Sequence, residues 1–304
     1  MQTGKHTVTA LTRAGSTSKQ PEGVKVVEVD YDDDAALVSA LEGQQFLVIC
    51  LSVLSPRDLH GRLAAAAGKA GVPYVMPNAY GCPMPAEVRP EDFYSQIVLG
   101  AINDVTSNGF SSPVTLACGI WYEWSMATGE RSFGFTIPDR KATFFDDGRR
   151  VLTASTWDQC GRAFAALLSL PETSSDGSPS LADFKGKTAA ISSFRVSQRD
   201  MLDSLHRVMG TTDADWEITY ETTANRIRDG YEAVQRGDLE GRGKLLYGFL
   251  FDPSTEISDY GATGELANGI LGLPKEDLDA ATKRAVDMVL SGWVSHPELV
   301  KKSA

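Results

Sequence analysis

The sequence predicts an α/β fold in which a doubly wound parallel sheet is accompanied by a smaller α+β lobe on its C-terminal side. Strand-like and helix-like segments alternate through the first 118 residues. Some of the strands are near-continuous apolar runs, such as residues 46–51, which is typical of parallel strands that helices cover on both faces. From Trp121 to Asp147 the chain becomes aromatic and rich in turn residues, which indicates a change of architecture.

Local signals place the elements of the predicted sheet in order. Asp32 or Asp33 can cap the first helix, and Gly43 and Gly71 stand where the first two helices should end. Runs rich in β-branched residues, such as 6–12 and 24–29, favour strands, and the alanine-rich residues 59–70 favour a helix. The elements expected are strands 6–12 and 24–29, helix 35–41, strand 46–51, helix 59–70, strand 73–76, helix 93–107 and strand 114–118.

The second half of the chain predicts a mixed lobe. Ser197 followed by Asp200 is a helix-capping pattern, and Pro274 precedes the last expected helix. The elements expected are short strands 134–137 and 142–145, helix 156–170, strand 188–193, helix 197–209, strand 216–220 and helices 224–236 and 275–290. We therefore predict a first domain at residues 1–125 and a substrate lobe at 126–304, interleaved with sheet elements near 151–195.

Charge and hydropathy exclude several classes of partner. The formal net charge is -11, from 40 acidic and 29 basic side chains, so nucleic acid and anionic membrane surfaces are repelled on average. No run reaches the roughly 18 apolar residues that a membrane span needs. The first residues lack the pattern of a signal or transit peptide. We expect a cytoplasmic protein with a small-molecule substrate, as a monomer or a homodimer.

The cysteines and histidines give no metal-binding pattern. Cys50, Cys82, Cys118 and Cys160 lie far apart in sequence, and no C-x-x-C pair occurs. The four histidines are equally dispersed. No metal site is predicted, and the cysteines are expected to be buried free thiols in a reducing compartment.

The end of strand 6–12 carries the first functional signal. In open α/β sheets that bind dinucleotides, an acidic residue at such a strand end selects NAD, and a basic residue accommodates the 2′-phosphate of NADP. Here the strand ends at Thr12-Arg13, followed by Ser18 and Lys19, and no acid occurs before Glu22. This favours NADP(H) if a cofactor binds. An ordinary solvated loop is the alternative.

Loops after the other strands complete the predicted site, because ligands bind beyond the carboxyl ends of parallel strands. Asp30 and Tyr31 could contact adenine, while Asn78 and Tyr80 could bond the nicotinamide ribose or a substrate carbonyl. The predicted cofactor-binding residues are Thr12, Arg13, Ser18, Lys19, Asp30, Tyr31, Leu51, Ser52, Pro77 and Asn78. The predicted substrate-binding residues are Tyr80, Trp121, Tyr122 and Trp124. For each aromatic ring, core packing is the alternative.

Three stretches resemble a known family: residues 8–13 (VTALTR), 73–82 (PYVMPNAYGC) and 119–123 (GIWYE). They are similar to the NmrA-like and isoflavone-reductase-like atypical short-chain dehydrogenases, and most similar to the fungal CipA-type branch. The resemblance implies a Rossmann-type NADP(H)-binding domain and a C-terminal substrate lobe. For enzymatic members it also implies hydride transfer to small aromatic molecules or other secondary metabolites.

Two departures from that family leave alternatives open. Family members begin with a strand, a glycine-rich turn and a helix, whereas this chain starts near the end of that helix, so the first strand of the sheet is expected to be missing. Residues 93–102 lack the lysine that isoflavone reductases carry, and no tyrosine is followed four residues later by lysine. Tyr80 or Tyr122 is the remaining candidate proton donor. A non-catalytic NAD(P)-sensing regulator and an inactive truncated product are the alternatives to a reductase.

Overall fold

The structure is a computed structural model of the chain, and it describes residues 4–52, 54–85, 93–238, 240–262 and 265–295. The strands of these residues are β1 (Thr9–Thr12), β2 (Lys25–Glu28), β3 (Phe46–Val48), β4 (Tyr74–Met76), β5 (Ser112–Pro113), β6 (Thr115–Ala117), β7 (Ile120–Trp121), β8 (Phe135–Thr136), β9 (Lys141–Phe145), β10 (Leu152–Ser155), β11 (Thr188–Ala190), β12 (Phe194–Val196) and β13 (Glu217–Glu221).

The helices alternate with these strands in the first half of the chain and dominate the last third. They are α1 (Asp34–Leu41), α2 (Leu59–Lys69), α3 (Phe93–Thr106), α4 (Tyr122–Ala127), α5 (Glu130–Phe133), α6 (Trp157–Leu168), α7 (Gln198–Met209), α8 (Thr223–Gln235), α9 (Glu240–Phe251) and α10 (Leu278–Leu290). Short 3-10 helices lie at Leu181–Phe184, Asp213–Asp215 and Glu256–Ala262.

The chain divides into two compact units. The first unit comprises Met1–Tyr80, Ala86–Leu116 and Ala166–Ala189, and the second comprises Gly81–Pro85, Ala117–Ala165 and Ala190–Ala304. Each unit is therefore built from segments that are not contiguous in sequence.

Parallel pairing dominates the first unit. β1 pairs with β2 in parallel, and β4 lies between β3 and β5 in a second parallel sheet. Among the described residues, no pairing joins β1 to β3. In this part of the chain, β1 and β2 thus form one parallel pair, and β3, β4 and β5 form a separate parallel sheet.

One apolar cluster holds the first unit together. Leu37 and Leu41 of α1 meet Leu47 and Ile49 around β3, and Leu63 of α2 joins them. Each such side chain contributes about 1.5–3 kcal/mol when it is fully removed from water. α1 and α2 thereby pack against β3 in the core of the first unit.

The second unit combines short sheets with packed helices. β10 pairs in parallel with β7 and antiparallel with β12, while β9 pairs in parallel with β13 and antiparallel with β8. Phe133 and Phe145 form edge-on contacts with Phe251, at centroid distances of 6.3 and 5.1 Å. These rings and the helices around them form the core of the unit.

The predicted fold class is confirmed, and so are two predicted helix caps. The side chain of Asp33 accepts hydrogen bonds from the backbone N–H groups of Ala35 and Ala36, at 2.9 and 3.1 Å. Ser197 and Asp200 form the reciprocal capping box that their spacing predicts.

Two predictions about local structure are wrong. The last helix begins at Leu278 instead of residue 275, because Asp277 caps it and bonds the backbone N–H of Ala280 at 2.8 Å. Cys50 is exposed, whereas Cys82 and Cys118 are buried and Cys160 is partly buried. Cys50 follows Ile49, which is buried, and alternation along the extended chain turns the next side chain outward.

Candidate functional site

The loop after β1 presents a cluster of hydrogen-bond donors to solvent. Arg13, Ser18 and Lys19 are exposed, and Thr12 is half-buried. The backbone N–H of Ser16 donates to the carbonyl of Arg13 at 3.1 Å, which closes a tight turn directly after the strand. No carboxylate lies between Arg13 and Pro21. This donor set fits a phosphate monoester, because a guanidinium and hydroxyl groups can share its oxygens.

The neighbouring strand end, after β2, carries Asp30 and Tyr31. The hydroxyl of Tyr31 donates to the carbonyl of Leu11 at 2.9 Å, so its ring is fixed beside the end of β1. Burial raises the pKa of Tyr31, and the charge of Arg13 opposes that shift. The carboxylate of Asp30 accepts from the backbone N–H of Asp32 at 2.9 Å. The structure thus brings Thr12, Arg13 and Tyr31 together at one sheet edge.

Asn78 and Tyr80 join the ends of β3 and β4. The side-chain amide of Asn78 donates to the carbonyl of Leu51 at 3.2 Å and accepts from its N–H at 3.4 Å. The Tyr80 hydroxyl donates to the carbonyl of Ile49 at 2.8 Å. These side chains fix the loop that contains Leu51, which is one of the predicted cofactor-binding residues.

Ser52, which is exposed, and Pro77, which is buried, lie in the same loops. The hydroxyl of Ser52 accepts from the backbone N–H of Leu54 at 3.2 Å, and its carbonyl accepts from Ser55 at 3.0 Å. Pro77 is buried, and its carbonyl accepts from the N–H of Ala79 at 2.7 Å. Both residues therefore shape the backbone at the ends of β3 and β4.

His60 and Asp104 support this edge, and the sequence reasoning did not identify either. Nε2 of His60 lies 3.2 Å from the backbone N–H of Asn78, and Nδ1 lies 2.8 Å from Oδ2 of Asp104. Since the N–H of Asn78 is a donor, Nε2 must accept and Nδ1 carries the proton toward Asp104. His60 lies on α2 and Asp104 lies on α3, 44 residues later in the sequence. Their contact therefore depends on the tertiary fold.

Trp121 and Trp124 form an aromatic pair on the second unit. Their rings meet edge-on at a centroid distance of 6.4 Å, and Trp121 is 38% exposed. A second edge-on pair, Trp157 and Trp293, has centroids 6.0 Å apart, and Trp157 is 41% exposed. Trp121 and Trp124 are both predicted substrate-binding residues, a role that stays a prediction, whereas Trp157 and Trp293 were not identified from the sequence, since their contact joins distant parts of the chain.

Tyr122 lies between these aromatic residues and the core of the second unit. Its side chain is 0% exposed, and its hydroxyl bonds that of Thr282 at 2.7 Å. Phe133 and Phe194 flank the ring, at 6.1 and 5.5 Å between centroids. Burial raises the pKa of Tyr122 well above its ordinary value. The catalytic roles of Tyr80 and Tyr122 stay predictions.

A buried carboxylate, Glu123, connects the two tryptophan pairs. Glu123 is 3% exposed, and its Oε1 lies 2.7 Å from Nη2 of Arg284. Its Oε2 accepts from the backbone N–H of Trp157 at 3.2 Å. Glu123 is thus charge-compensated and fixes the start of α6 beside α4. In the sequence, the only sign of this role is an acidic residue within the aromatic run 121–124. That sign does not identify Arg284 or Trp157 as its partner.

Two findings concern metals and membranes. Within the described ranges, no group of three or more His, Cys, Asp and Glu side chains is arranged to hold a metal ion. In the same part of the chain, no helix combines the length and the apolar character required to cross a membrane.

Comparison with known proteins gives low-identity relatives of similar length. No family model matches the chain. Oxidoreductase aprR of Aspergillus flavus is 26% identical over 278 residues, which are 90% of this chain and 88% of that protein. Oxidoreductase poxI of Penicillium oxalicum is 22% identical, over 95% of this chain and 88% of that protein.

Solved structures match the fold over most of its length. An isoflavone reductase superposes with a TM-score of 0.66 at 17% identity, covering 91% of this chain and 90% of its own. The chain has the fold of the isoflavone-reductase-like proteins. AtPrR2 with NADP+ and (+)pinoresinol gives 0.64 at 18%, covering 86% and 81%. Triphenylmethane reductase of Citrobacter sp. gives 0.60 at 15%, covering 88% and 84%.

The isoflavone-reductase-like fold confirms the resemblance that residues 8–13, 73–82 and 119–123 indicate. It also accounts for the parallel strands of the first unit and the mixed second unit. The finer likeness to the CipA-type branch stays a prediction, as do the roles of the individual site residues.

Proposed function

We propose that this protein is an NADP(H)-dependent oxidoreductase that acts on a small aromatic molecule. The observation that carries the proposal is the donor cluster after β1, where Arg13 is exposed beside Thr12 and no acid follows before Glu22. In a sheet of this kind, the strand end meets the adenosine ribose. A carboxylate there would repel a 2′-phosphate, whereas a guanidinium attracts it.

The relatives support an oxidoreductase class. Two fungal proteins that align over most of the chain are named oxidoreductases. Among proteins of the same fold, AtPrR2 was solved with NADP+, and a quinone oxidoreductase of Escherichia coli was solved with NADPH. A bound nicotinamide supplies a hydride donor or acceptor.

Different residues would contact the phosphate, adenine and nicotinamide parts of the cofactor and the substrate. Arg13, Ser18 and Lys19 would bond the 2′-phosphate, and Tyr31 and Asp30 would lie near the adenine. Asn78 and Tyr80, which fix the ends of β3 and β4, would shape the nicotinamide end. On the second unit, the exposed edges of Trp121 and Trp157 offer aromatic surface to a substrate.

A second candidate function is sensing of the dinucleotide without chemistry. The enclosed hydroxyl of Tyr122, which is bonded to Thr282, and the lack of lysine in α3 favour it. A sensor and a reductase share the cofactor site, so cofactor binding supports both. Turnover separates them.

The test of the proposed function combines binding with turnover. Calorimetry with NADPH and NADH is expected to show tighter binding of NADPH. Loss of NADPH absorbance is then followed with a panel of quinones, aromatic ketones and triphenylmethane dyes. Turnover of one of them supports the reductase, and binding without turnover of the panel favours the sensor. Failure to bind either dinucleotide at millimolar concentration contradicts both.

A matched pair of variants tests the aromatic surface. Trp121→Ala is expected to raise KM for an aromatic substrate about 5- to 30-fold, which corresponds to the loss of roughly 1–2 kcal/mol of ring contact. Tyr231→Ala removes an exposed ring of α8 that lies elsewhere on the second unit, and it should leave KM unchanged. Equal effects of the two substitutions would exclude a specific role for Trp121.

A further inference from the structure

A series of side-chain hydrogen bonds leads from the buried hydroxyl of Tyr122 to the surface of the second unit. That hydroxyl bonds the hydroxyl of Thr282 at 2.7 Å. The hydroxyl of Ser204 lies 2.7 Å from Oγ1 of Thr282 and 2.6 Å from Oδ1 of Asp279. Tyr122, Thr282 and Ser204 are each 0% exposed, whereas the side chain of Asp279 is 39% exposed. Thr282, Ser204 and Asp279, called the polar path below, thus connect the tyrosine to a carboxylate that meets water.

Two helices supply the polar path. Ser204 and Arg207 lie three residues apart on α7. Asp279 and Thr282 lie three residues apart on α10. Residues at this spacing share one face of a helix, so the facing sides of α7 and α10 carry these side chains. Nε and Nη2 of Arg207 each donate to the carboxylate of Asp279 at 2.7 Å. The fixed carboxylate forms the outer end of the path.

The hydroxyl of Tyr122 needs such a path if it takes part in proton transfer. Phe133 and Phe194 flank its ring, and burial raises its pKa because a phenolate is poorly solvated there. A tyrosine in this environment that gives up its proton must therefore regain one promptly. Among the described residues, Thr282 is the hydrogen-bond partner of this hydroxyl, so the proton has to arrive through Thr282.

We propose that the polar path carries protons between water and the hydroxyl of Tyr122. Use of the path in catalysis rests on the proposed function, in which a nicotinamide exchanges the hydride and Tyr122 is one candidate proton donor. A relay needs hydroxyls that can donate in two directions. Ser204 meets this need, because its single proton can go to Oδ1 of Asp279 or to Oγ1 of Thr282. The bond between Tyr122 and Thr282 can also run either way, since both groups are hydroxyls.

The transfer balances because each oxygen of the path gains one proton and loses one. Tyr122 gives its proton to the substrate and takes that of Thr282. Thr282 takes the proton of Ser204, and Ser204 takes one from Asp279. The hydrogen bonds of Arg207 and Ser204 lower the pKa of Asp279, so its carboxylate is ionised at neutral pH and receives the incoming proton from solvent. One O–H bond breaks and one forms at each step, and no electrons move along the path.

The test measures hydrogen exchange at the tyrosine hydroxyl in the full chain. Tyrosine that is isotope-labelled at Cζ is incorporated, and NMR spectra are recorded in equal parts of light and heavy water. A hydroxyl that exchanges slowly gives separate Cζ signals for its protonated and deuterated forms, whereas one that exchanges rapidly gives a single averaged signal. Tyr122→Phe identifies the signal of Tyr122 among those of the nine tyrosines.

The native protein is expected to give one averaged signal for Tyr122, although this residue is 0% exposed. Ser204→Ala leaves the bond between Tyr122 and Thr282 in place but interrupts the path, and it should give two signals. Thr282→Val keeps the shape of the side chain without its hydroxyl and should also give two, whereas Thr282→Ser keeps the hydroxyl and should give one. Ser258→Ala removes another fully buried hydroxyl of the second unit, and it should leave the averaged signal unchanged.

Two signals for Tyr122 in the native protein would overturn the proposal. One averaged signal in Ser204→Ala would also overturn it, because exchange by local opening of the fold does not need the polar path. The same holds for identical spectra of Thr282→Val and Thr282→Ser.

Turnover is a separate readout for the catalytic use of the path. If the native protein reduces a compound of the panel, Ser204→Ala should lower kcat by up to about 10²-fold while NADPH affinity stays unchanged. An unchanged kcat would overturn the use of the path in catalysis. A native protein that binds NADPH without turnover contradicts the reductase, whereas the NMR spectra still decide whether the path carries protons.

Discussion

Asn78 bonds both backbone polar groups of Leu51 through one side-chain amide, at 3.2 and 3.4 Å. The amide replaces a missing pair of strand hydrogen bonds beyond the last residues of β3 and β4. Because both residues are partly buried, water replaces these bonds only in part. The ends of the two strands therefore form one rigid edge.

The first prediction concerns this link. Asn78→Ala removes both bonds to Leu51, and we expect the free energy of unfolding to fall by about 1–3 kcal/mol. Denaturant unfolding followed by circular dichroism measures the change. Asn225→Ala is a matched control, since Asn225 lies on the exposed surface of α8, and it should change stability by less than about 0.5 kcal/mol. An equal loss in both variants would contradict the role given to Asn78.

The second prediction concerns His60 as the support of Asn78. His60→Ala removes the acceptor of the Asn78 N–H and the partner of Asp104. We expect a loss of about 1–2 kcal/mol in unfolding free energy. Because His60 acts on Asn78, the double variant with Asn78→Ala should lose less than the sum of the single losses. Simple additivity would show that the two residues act independently.

The third prediction concerns a buried cation in the second unit. Arg226 is 0% exposed, its Nη1 lies 2.9 Å from Glu130 and 3.0 Å from Glu221, and its guanidinium lies 4.0 Å from the centre of the Phe145 ring. Arg226→Met leaves two carboxylates without their shared partner. The free energy of unfolding should fall by about 3–5 kcal/mol, and urea unfolding measures it. As a control, Arg236 is exposed and its Nη1 lies 3.8 Å from Oε2 of Glu232. Arg236→Met should change the free energy of unfolding by less than about 0.5 kcal/mol.

The same cluster predicts a pH dependence. Burial by itself raises the pKa of Glu130, but the hydrogen bond and charge of Arg226, together with Lys244, more than offset this and lower it. A carboxylate whose folded pKa is lowered stabilises the fold above its unfolded pKa, and the stabilisation is lost as pH falls through the folded value. Stability should therefore fall below about pH 4.3. Glu130→Gln should flatten that part of the profile, and an unchanged slope would contradict the assignment.

The fourth prediction concerns proton transfer. If Tyr122 donates the proton, Tyr122→Phe must lower kcat by about 10²- to 10⁴-fold while NADPH affinity stays unchanged. Thr282 keeps a hydroxyl partner in Ser204 at 2.7 Å, so the substitution leaves no isolated polar group. Tyr80→Phe is measured in parallel, because it is the other predicted donor. A kcat within about threefold of the native value in both variants would exclude both tyrosines.

Local rules predicted a large part of the fold. The cap at Asp33 and the box of Ser197 and Asp200 depend on residues within one turn of each other, which is why spacing alone identifies them. The parallel strands were also evident, because they are apolar runs bounded by turns. α4 was not foreseen as a helix. Two of its first three residues, Tyr122 and Trp124, are aromatic, and packing against α10 rather than helix propensity determines its conformation.

In the candidate site too, residues whose role depends on local sequence were identified, and residues whose role depends on tertiary contacts were not. Arg13 was identifiable, since its role depends on its position at a strand end and on the sequence that follows it. His60, Asp104 and Glu123 were not, because each acquires its meaning from a partner at least 18 residues away in sequence. A sequence pattern reports neighbours along the chain, whereas these contacts arise only when helices pack on the sheet.

The central claim, a site for the 2′-phosphate of NADP(H) at Arg13, is tested by the affinities of NADPH and NADH for the native protein and for Arg13→Ala. Loss of a charge-assisted bond of about 1.5–3 kcal/mol predicts about 10- to 150-fold weaker NADPH binding. NADH binding should stay within about twofold, and Arg236→Ala should match the native protein. Equal NADPH affinity in Arg13→Ala and the native protein, or equal weakening for both dinucleotides, would contradict the account.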